Sequence, residues 1–263
     1  MCTQDVTLRC DSQELATASL AAIFQTTIES LNTYFSNYEA PGTEQVDTVI
    51  TSFHEKYPNA LPLTNVIFFH GTRAFTQDDD EARRIYNENG IYALPNTSEE
   101  LWTKLRRTLA QENLTDKLWD EFKTAFHTGQ LNNLYNATGR SNGEQGPFGY
   151  LIQEQMTAEN CHGNYAARGS EFITDICSKF DNHFEWATNS YRKYIEKTKG
   201  VIVAFSTKNH SHDQVQSYIS SCIEYVWRSQ HGEGGEIWAA SYDGGGNDIP
   251  PEDIILSTII PTN

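Results

Sequence analysis

The sequence is short of positive charge. Of its 263 residues, 19 are Lys or Arg and 35 are Asp or Glu, which gives a formal net charge of −16. A chain with this balance repels phosphate backbones, so nucleic acid is disfavoured as a general partner. The composition leaves room for a local basic pocket but for no wide basic surface.

Long apolar runs are also missing. None approaches the roughly 20 residues of a membrane-spanning helix, and we expect no membrane partner. The N-terminal residues lack the basic-then-apolar pattern of a secretory signal, and the five cysteines fit neither a zinc-ligand spacing nor a disulfide framework. We therefore expect a protein without a bound metal that is cytoplasmic, or that is delivered as an effector without a classical signal peptide.

Apolar spacing predicts helices through most of the first half of the chain and strands mainly in the second. It favours one long helix over residues 11–39 and a second before Pro58, followed by a short buried strand over residues 66–69. Further elements are predicted in this order: helices over residues 78–89, 101–109, 118–126 and 172–180, a strand over 201–205, a helix over 215–226, and strands over 237–242 and 254–260. This order indicates an α+β fold, with a helical N-terminal extension over residues 1–60 ahead of a domain over residues 61–263.

Three short motifs stand at positions where functional sites commonly form. His70-Gly71-Thr72 follows the buried strand, where His offers a hydrogen-bond donor and acceptor and Gly allows close approach to the backbone. The segment from Tyr165 to Ser170 precedes a predicted helix, and Glu236 opens a predicted strand after two glycines. Taken singly, each motif also fits a structural role: a strand-ending turn, a helix N-cap and a solvated strand end.

Taken in order, the three motifs resemble those of the ADP-ribosyltransferase superfamily, in the His-Tyr-Glu branch that includes diphtheria toxin and the poly(ADP-ribose) polymerases. Two further features fit this resemblance, Gly90-Ile91 after a helix and the run Ile249-Pro250-Pro251-Glu252-Asp253-Ile254 after Glu236. The resemblance covers residues 66–260. It implies a split antiparallel β-sheet sandwich of ADP-ribosyltransferase type, with peripheral helices and a cleft for NAD as the substrate.

The resemblance also implies a role for each matching residue. His70 would hydrogen-bond the adenosine ribose, Gly71 would present its backbone to the nicotinamide carboxamide, and Tyr165 would stack on the nicotinamide ring. A nearby arginine, Arg73 or Arg168, would meet the pyrophosphate. The NAD-binding residues implied in this way are His70, Gly71, Thr72, Arg73, Tyr165 and Ser170.

The implied reaction is transfer of ADP-ribose from NAD to an unknown protein acceptor, or hydrolysis of NAD where no acceptor is held. Cleavage of the nicotinamide–ribose bond develops positive charge on the sugar, which a fixed carboxylate stabilises. The resemblance gives this role to Glu236, with His70 and Tyr165 completing the catalytic set. Gly234 speaks against the arginine-modifying branch, which has a carboxylate or amide at that position, and Glu233 is a rival of Glu236.

Two other functions stay open. The sequence Gly-Arg-Ser-Asn-Gly over residues 139–143 fits the G-x-S-x-G pattern of α/β-hydrolases, with Ser141 as the nucleophile and a later histidine such as His210 in a triad. The polar residues before it make a poor buried strand, which a nucleophile elbow requires. A non-catalytic binding module is the second alternative. Within the transferase interpretation, Tyr92 is a rival of Tyr165.

Overall fold

Helices and short strands follow one another irregularly along the chain, which confirms the predicted α+β class. The computed structural model describes residues 6–39, 45–93, 98–131, 146–157, 165–233 and 239–260. The regular elements, in chain order, are β1 (Thr7–Leu8), α1 (Gln13–Ile23), α2 (Ile28–Phe35), α3 (Val46–Lys56), β2 (Asn65–Ala74), α4 (Asp79–Asn89), α5 (Ser98–Thr108), α6 (Asp116–His127), β3 (Phe148–Tyr150), α7 (Tyr165–Arg168), α8 (Glu171–His183), α9 (Ser190–Glu196), β4 (Lys199–Thr207), α10 (His212–Gln230), β5 (Ser241–Asp243) and β6 (Ile254–Ile259). Within these described ranges, none of the helices is both long and apolar enough to cross a membrane.

The strands join in a sheet in which β2 is an interior strand. The order is β5–β3–β2–β4–β6, and β1 pairs with β2 off this path. β1 runs parallel to β2, with Thr7 opposite Asn65, and β3 runs antiparallel to β2, with Phe69 opposite Tyr150. The strand that carries the His-Gly-Thr motif is therefore hydrogen-bonded to neighbours on both sides.

β2 is longer than the sequence predicts. The expected strand covers residues 66–69, whereas the observed strand continues to Ala74. The predicted end of the strand is wrong, and the alternative of a strand-ending turn at His70 is excluded, because the apolar run marks only the part of the strand that is buried on both faces. Beyond it, half-buried His70 and Thr72 alternate with buried residues, and a strand covered in this way no longer reads as a continuous apolar run.

Contacts between residues group the chain into two compact units. The first unit comprises residues 1–69, 149–163 and 204–242, and the second comprises residues 70–148, 164–203 and 243–263. The boundary falls inside β2 after Phe69 and inside β4 after Val203. The helical extension expected over residues 1–60 lies within the first unit, and His70 with the rest of β2 lies within the second.

In the first unit, the stretch predicted as one helix over residues 11–39 forms two helices, α1 and α2. Gln25 between them has a positive φ of 51°, and the Thr27 side chain accepts a hydrogen bond from the Ser30 amide and so caps α2. The prediction of one helix is therefore wrong. Apolar spacing continues across the break because both helices bury one face, while the local cap separates them.

The core of the second unit contains an aromatic cluster on α5, α6 and α8. The Trp102 and Trp119 ring centroids are 5.6 Å apart in an edge-on arrangement, and the Phe122 and Phe180 rings are perpendicular at 5.2 Å. Such edge-to-face pairs are the arrangement that aromatic quadrupoles favour. The predicted helices are confirmed here, because their apolar residues recur on one face and pack into this cluster.

Candidate functional site

His70 lies within β2 with its ring fixed against the neighbouring strand. Its Nδ1 is 2.7 Å from the carbonyl oxygen of Phe148 in β3. A carbonyl only accepts, so Nδ1 carries the proton, and Nε2 of the neutral ring is an acceptor. Within the part of the chain that the structure describes, no protein group bonds Nε2 of this half-buried side chain. The ring therefore presents one directed acceptor, which suits the hydroxyl group of a ligand.

Burial also determines the charge of His70. It lowers the pKa of the ring, and the bond to the Phe148 carbonyl opposes this shift only in part. The unfolded chain, in which the ring has its ordinary pKa, then binds a proton more readily than the folded chain. The contribution of His70 to stability is therefore complete above about pH 6.5 and is lost as the pH falls from there towards the lowered pKa.

The substitution His70→Asn isolates this contribution, because the asparagine amide can still donate to the carbonyl but does not titrate. We expect urea unfolding to show a smaller loss of stability between about pH 7.5 and about pH 5.5 in the variant than in the wild type. His54, His127 and His210 also have pKa values lowered by burial, so the pH slopes are compared. The same substitution at the exposed His212 is the control, and equal slopes for His70→Asn and wild type would contradict the prediction.

Thr72 and Gly71 have different surroundings on β2. Thr72 is half-buried, and its hydroxyl shares a hydrogen bond of 3.3 Å with the hydroxyl of Tyr86 on α4. Burial raises the pKa of Tyr86 to about 12, so this hydroxyl keeps its proton at neutral pH. Gly71 is buried. Tyr86 is a neighbour of the site to which the motifs assign no role, and its place four residues after buried Ala82 on α4 is the sequence signal that it faces inward.

Arg73 lies on the face of β2 opposite to His70 and Thr72, because successive residues of a strand point to opposite faces. It is 5 % exposed. Its donors bond the Thr198 hydroxyl and the carbonyls of Ala166, Ala167, Ile195 and Thr198, at 2.7–3.1 Å. A guanidinium has five N–H groups, so Arg73 has protein partners in place of the implied pyrophosphate. The other arginine that the sequence offers for that role is Arg168, which is exposed on α7.

The segment from Tyr165 to Ser170 packs closely on the sheet within the second unit. Half-buried Tyr165 begins α7, and the next carbonyl along this helix, that of Ala166, accepts from Arg73. A Cβ added to Gly200 of β4 would lie 2.3 Å from this same oxygen, so the helix backbone lies directly against the strand. Ser170 caps α8 by accepting a first-turn amide at 3.4 Å, which is the structural role that the sequence allowed.

The two further motifs of the resemblance pair with each other. Ile91 and Ile249 form an antiparallel bridge in which the amide of each donates to the carbonyl of the other, at 2.9 and 2.8 Å. The Asp248 carboxylate accepts from the Ala93 amide at 2.7 Å. Gly90 has a φ of 74°, and a Cβ there would lie 2.0 Å from the Ile249 oxygen. A glycine therefore allows two segments that are far apart in sequence to pair closely.

The two residues predicted to act as the catalytic carboxylate and as the hydrolase nucleophile, Glu236 and Ser141, lie outside the described residues. The rival carboxylate Glu233 is described and half-buried. One of its oxygens is 3.5 Å from the guanidinium of Arg228, and its amide donates to the carbonyl of the same residue. The rival is thus already ion-paired within the protein, and the role of Glu236 stays a prediction.

Two other described groups that could act as a base or a nucleophile, His210 and Cys177, are engaged or buried. The Nε2 atom of His210 shares a hydrogen bond of 2.9 Å with the Thr207 hydroxyl. Burial, with the charge of Asp181, raises the pKa of the Cys177 thiol to about 12, which makes it a poor nucleophile at neutral pH. Among the described side chains, no group of three or more His, Cys, Asp or Glu residues is arranged to hold a metal ion.

Comparison with known proteins identifies no relative: no protein-family model, no curated protein and no solved structure matches this chain. Among the described residues, one surface depression is lined by residues of α1, α2 and α10 and another by residues of α6 with His183, and His70 lines neither of these. Tyr92, the rival of Tyr165, is 47 % exposed. The candidate site therefore depends on the arrangement of His70 and its neighbours on β2 together with the segment that begins at Tyr165.

Proposed function

We propose that this chain binds NAD at the His70–Thr72 stretch of β2 and transfers its ADP-ribose to a protein acceptor, or to water where no acceptor is held. The proposal includes the finer architecture that the resemblance implies, a split antiparallel sandwich of ADP-ribosyltransferase type. The observation that carries it is the His70 ring. Since Nδ1 donates to the Phe148 carbonyl, Nε2 is left as an acceptor for a ribose hydroxyl.

Tyr165 is connected to the same strand through Arg73. Arg73 is the residue that follows the His-Gly-Thr motif on β2, and it donates to the carbonyls of Ala166 and Ala167. The helix that begins at Tyr165 is therefore attached to the strand that carries His70, from the face opposite to the His70 ring. The proposal requires the nicotinamide of NAD to reach Tyr165 past the end of β2, where the aromatic ring would offer a stacking surface.

In the proposed reaction, the bond between nicotinamide and ribose breaks and nicotinamide leaves with the bonding electrons. A hydroxyl, amine or carboxylate of the acceptor, or a water molecule, forms the new bond to the ribose, and any proton it carried is released. The carboxylate of Glu236 stabilises the positive charge that develops on the ribose. Arg168 is the second arginine that the resemblance offers for the pyrophosphate, whose phosphate oxygens suit a guanidinium fork.

The test uses the full chain and measures NAD binding by calorimetry and nicotinamide release by chromatography. Glu236→Gln is expected to lower nicotinamide release by about 100-fold, because the amide keeps the shape but not the charge, while NAD affinity changes by less than about threefold. His70→Asn keeps a donor to Phe148 but has no acceptor in place of Nε2, so its NAD affinity is expected to fall about tenfold. Ser141→Ala is expected to leave both measurements unchanged.

Three outcomes would contradict the proposal. A wild-type chain that neither binds NAD nor releases nicotinamide has no such site. NAD binding without release, unaltered in Glu236→Gln, would favour the non-catalytic binding module. Hydrolysis of a model ester that disappears in Ser141→Ala would favour the hydrolase alternative.

A further inference from the structure

Arg73 is the most completely hydrogen-bonded of the predicted NAD-binding residues. Its Nε donates to the Thr198 hydroxyl at 2.8 Å, and its two terminal nitrogens donate to four carbonyls at 2.7–3.1 Å. The side chain is buried, and the Tyr194 ring lies 6.0 Å from its central carbon. A cation buried to this extent is tolerated because each of its donors has an acceptor.

The four carbonyls come from two helix ends. Ala166 and Ala167 belong to α7, while Ile195 is in the last turn of α9 and Thr198 follows that helix. Carbonyls in the last turn of a helix lack the regular amide partner of a following turn, and a cation is favourable beside them. The planar guanidinium of Arg73 thus holds both helix ends against β2 through hydrogen bonds.

Other contacts hold the same segment in place. Gly200 of β4 lies so close that a Cβ there would meet the Ala166 oxygen at 2.3 Å, and a Cβ on Gly169 would meet the Tyr194 ring at 2.7 Å. The Tyr191 hydroxyl donates to the Arg168 carbonyl at 3.0 Å. The segment over residues 165–170 is therefore held by close backbone packing as well as by hydrogen bonds, and a small change in Arg73 has little room to be absorbed.

We propose that Arg73 is a positioning residue, which holds α7 so that Tyr165 is placed to stack on the nicotinamide of NAD. This inference rests on the proposed function. It assigns Arg73 an indirect part: the guanidinium binds the protein backbone and not the pyrophosphate, and it acts on NAD through Tyr165. Lysine cannot replace it, because an ammonium group is a point donor that does not span acceptors on two helices.

The first arm of the test needs no NAD. Amide hydrogen exchange is measured in the full chain for residues 165–170, with the interior of α8 as the internal reference. Arg73→Lys is expected to speed exchange in residues 165–170 by about tenfold, while the same substitution at exposed Arg192 on α9 leaves it unchanged. Unchanged exchange in Arg73→Lys would overturn the proposal.

A milder pair of variants covers the case in which Arg73→Lys does not fold. Thr198→Val removes the hydroxyl that accepts from Nε and keeps the shape of the side chain, whereas Thr198→Ser keeps the hydroxyl. Faster exchange of residues 165–170 in Thr198→Val than in Thr198→Ser supports the proposal. Equal exchange in the two variants overturns it.

The second arm is a double-mutant cycle on NAD affinity. Tyr165→Ala is expected to weaken NAD binding about tenfold in the wild-type background and to have less than about a twofold effect in Arg73→Lys, because the ring is already displaced there. If exchange is faster in Arg73→Lys but the effects of Arg73→Lys and Tyr165→Ala on NAD affinity are additive, Arg73 only supports the fold. That result would overturn the positioning role. A wild-type chain that binds no NAD would overturn the proposed function, and with it this role of Arg73, whatever the exchange result.

Discussion

Replacing Gly90 by alanine is expected to lower the free energy of unfolding by about 4 kcal/mol. Gly90 has φ 74° and ψ −158°, a backbone region that is open essentially to glycine alone. A Cβ would also lie 2.0 Å from the backbone oxygen of Ile249, which cannot rotate away as a side chain could. The variant must therefore break or distort the paired hydrogen bonds between Ile91 and Ile249.

Equilibrium unfolding in urea measures this loss, and Gly245→Ala is the matched control. Gly245 also has a positive φ, of 58°, but a Cβ there would meet nothing within 4 Å. Its substitution is expected to cost about 1 kcal/mol, from backbone strain alone. If Gly90→Ala cost no more than Gly245→Ala, close packing against Ile249 would not be the reason for a glycine at this position.

Replacing Arg73 by methionine is expected to lower the free energy of unfolding by about 3–4 kcal/mol. Methionine fills similar space but offers no donor, so the buried carbonyls at two helix ends and the Thr198 hydroxyl lose the guanidinium. Relief of the buried charge offsets part of this loss, since burial lowers the pKa of Arg73 and so disfavours its charged form. The balance stays unfavourable because the acceptors cannot all find other donors.

Arg192→Met is the control for this second loss. Arg192 is on α9 and pairs with Glu196 one turn away, and its side chain is 78 % exposed. Such surface pairs contribute little, so a loss below about 0.5 kcal/mol is expected in the same urea titration. A loss for Arg73→Met that matched the Arg192→Met value would show that the carbonyls are satisfied without the guanidinium.

Local pattern was enough to predict most of the helices. Residues 79–89 form a helix with Gly90 at its C-terminal end, and residues 171–183 form one capped by Ser170. In both, the signals lie within a few residues of each other along the chain, so that a cap and an apolar face can be read directly. At Gln25 and Thr27 the local cap and the apolar spacing indicate different structures. The apolar spacing, taken alone, predicts a single helix where the protein has two.

The residues of the candidate site also differ in whether the sequence alone predicts their role. Residue type and order were sufficient to single out His70 and Tyr165 as candidates, because the hydrogen-bonding capacity of an imidazole and the stacking surface of an aromatic ring belong to the side chain itself. The role of Arg73 could not be obtained in this way. A guanidinium in a sequence suits a pyrophosphate and a set of helix-end carbonyls equally well, and its actual acceptors at Ala166 and Thr198 are distant along the chain. Folding brings those acceptors to β2, and once they occupy every donor the charge serves to hold the protein backbone, because a buried guanidinium is stable only where each N–H is bonded.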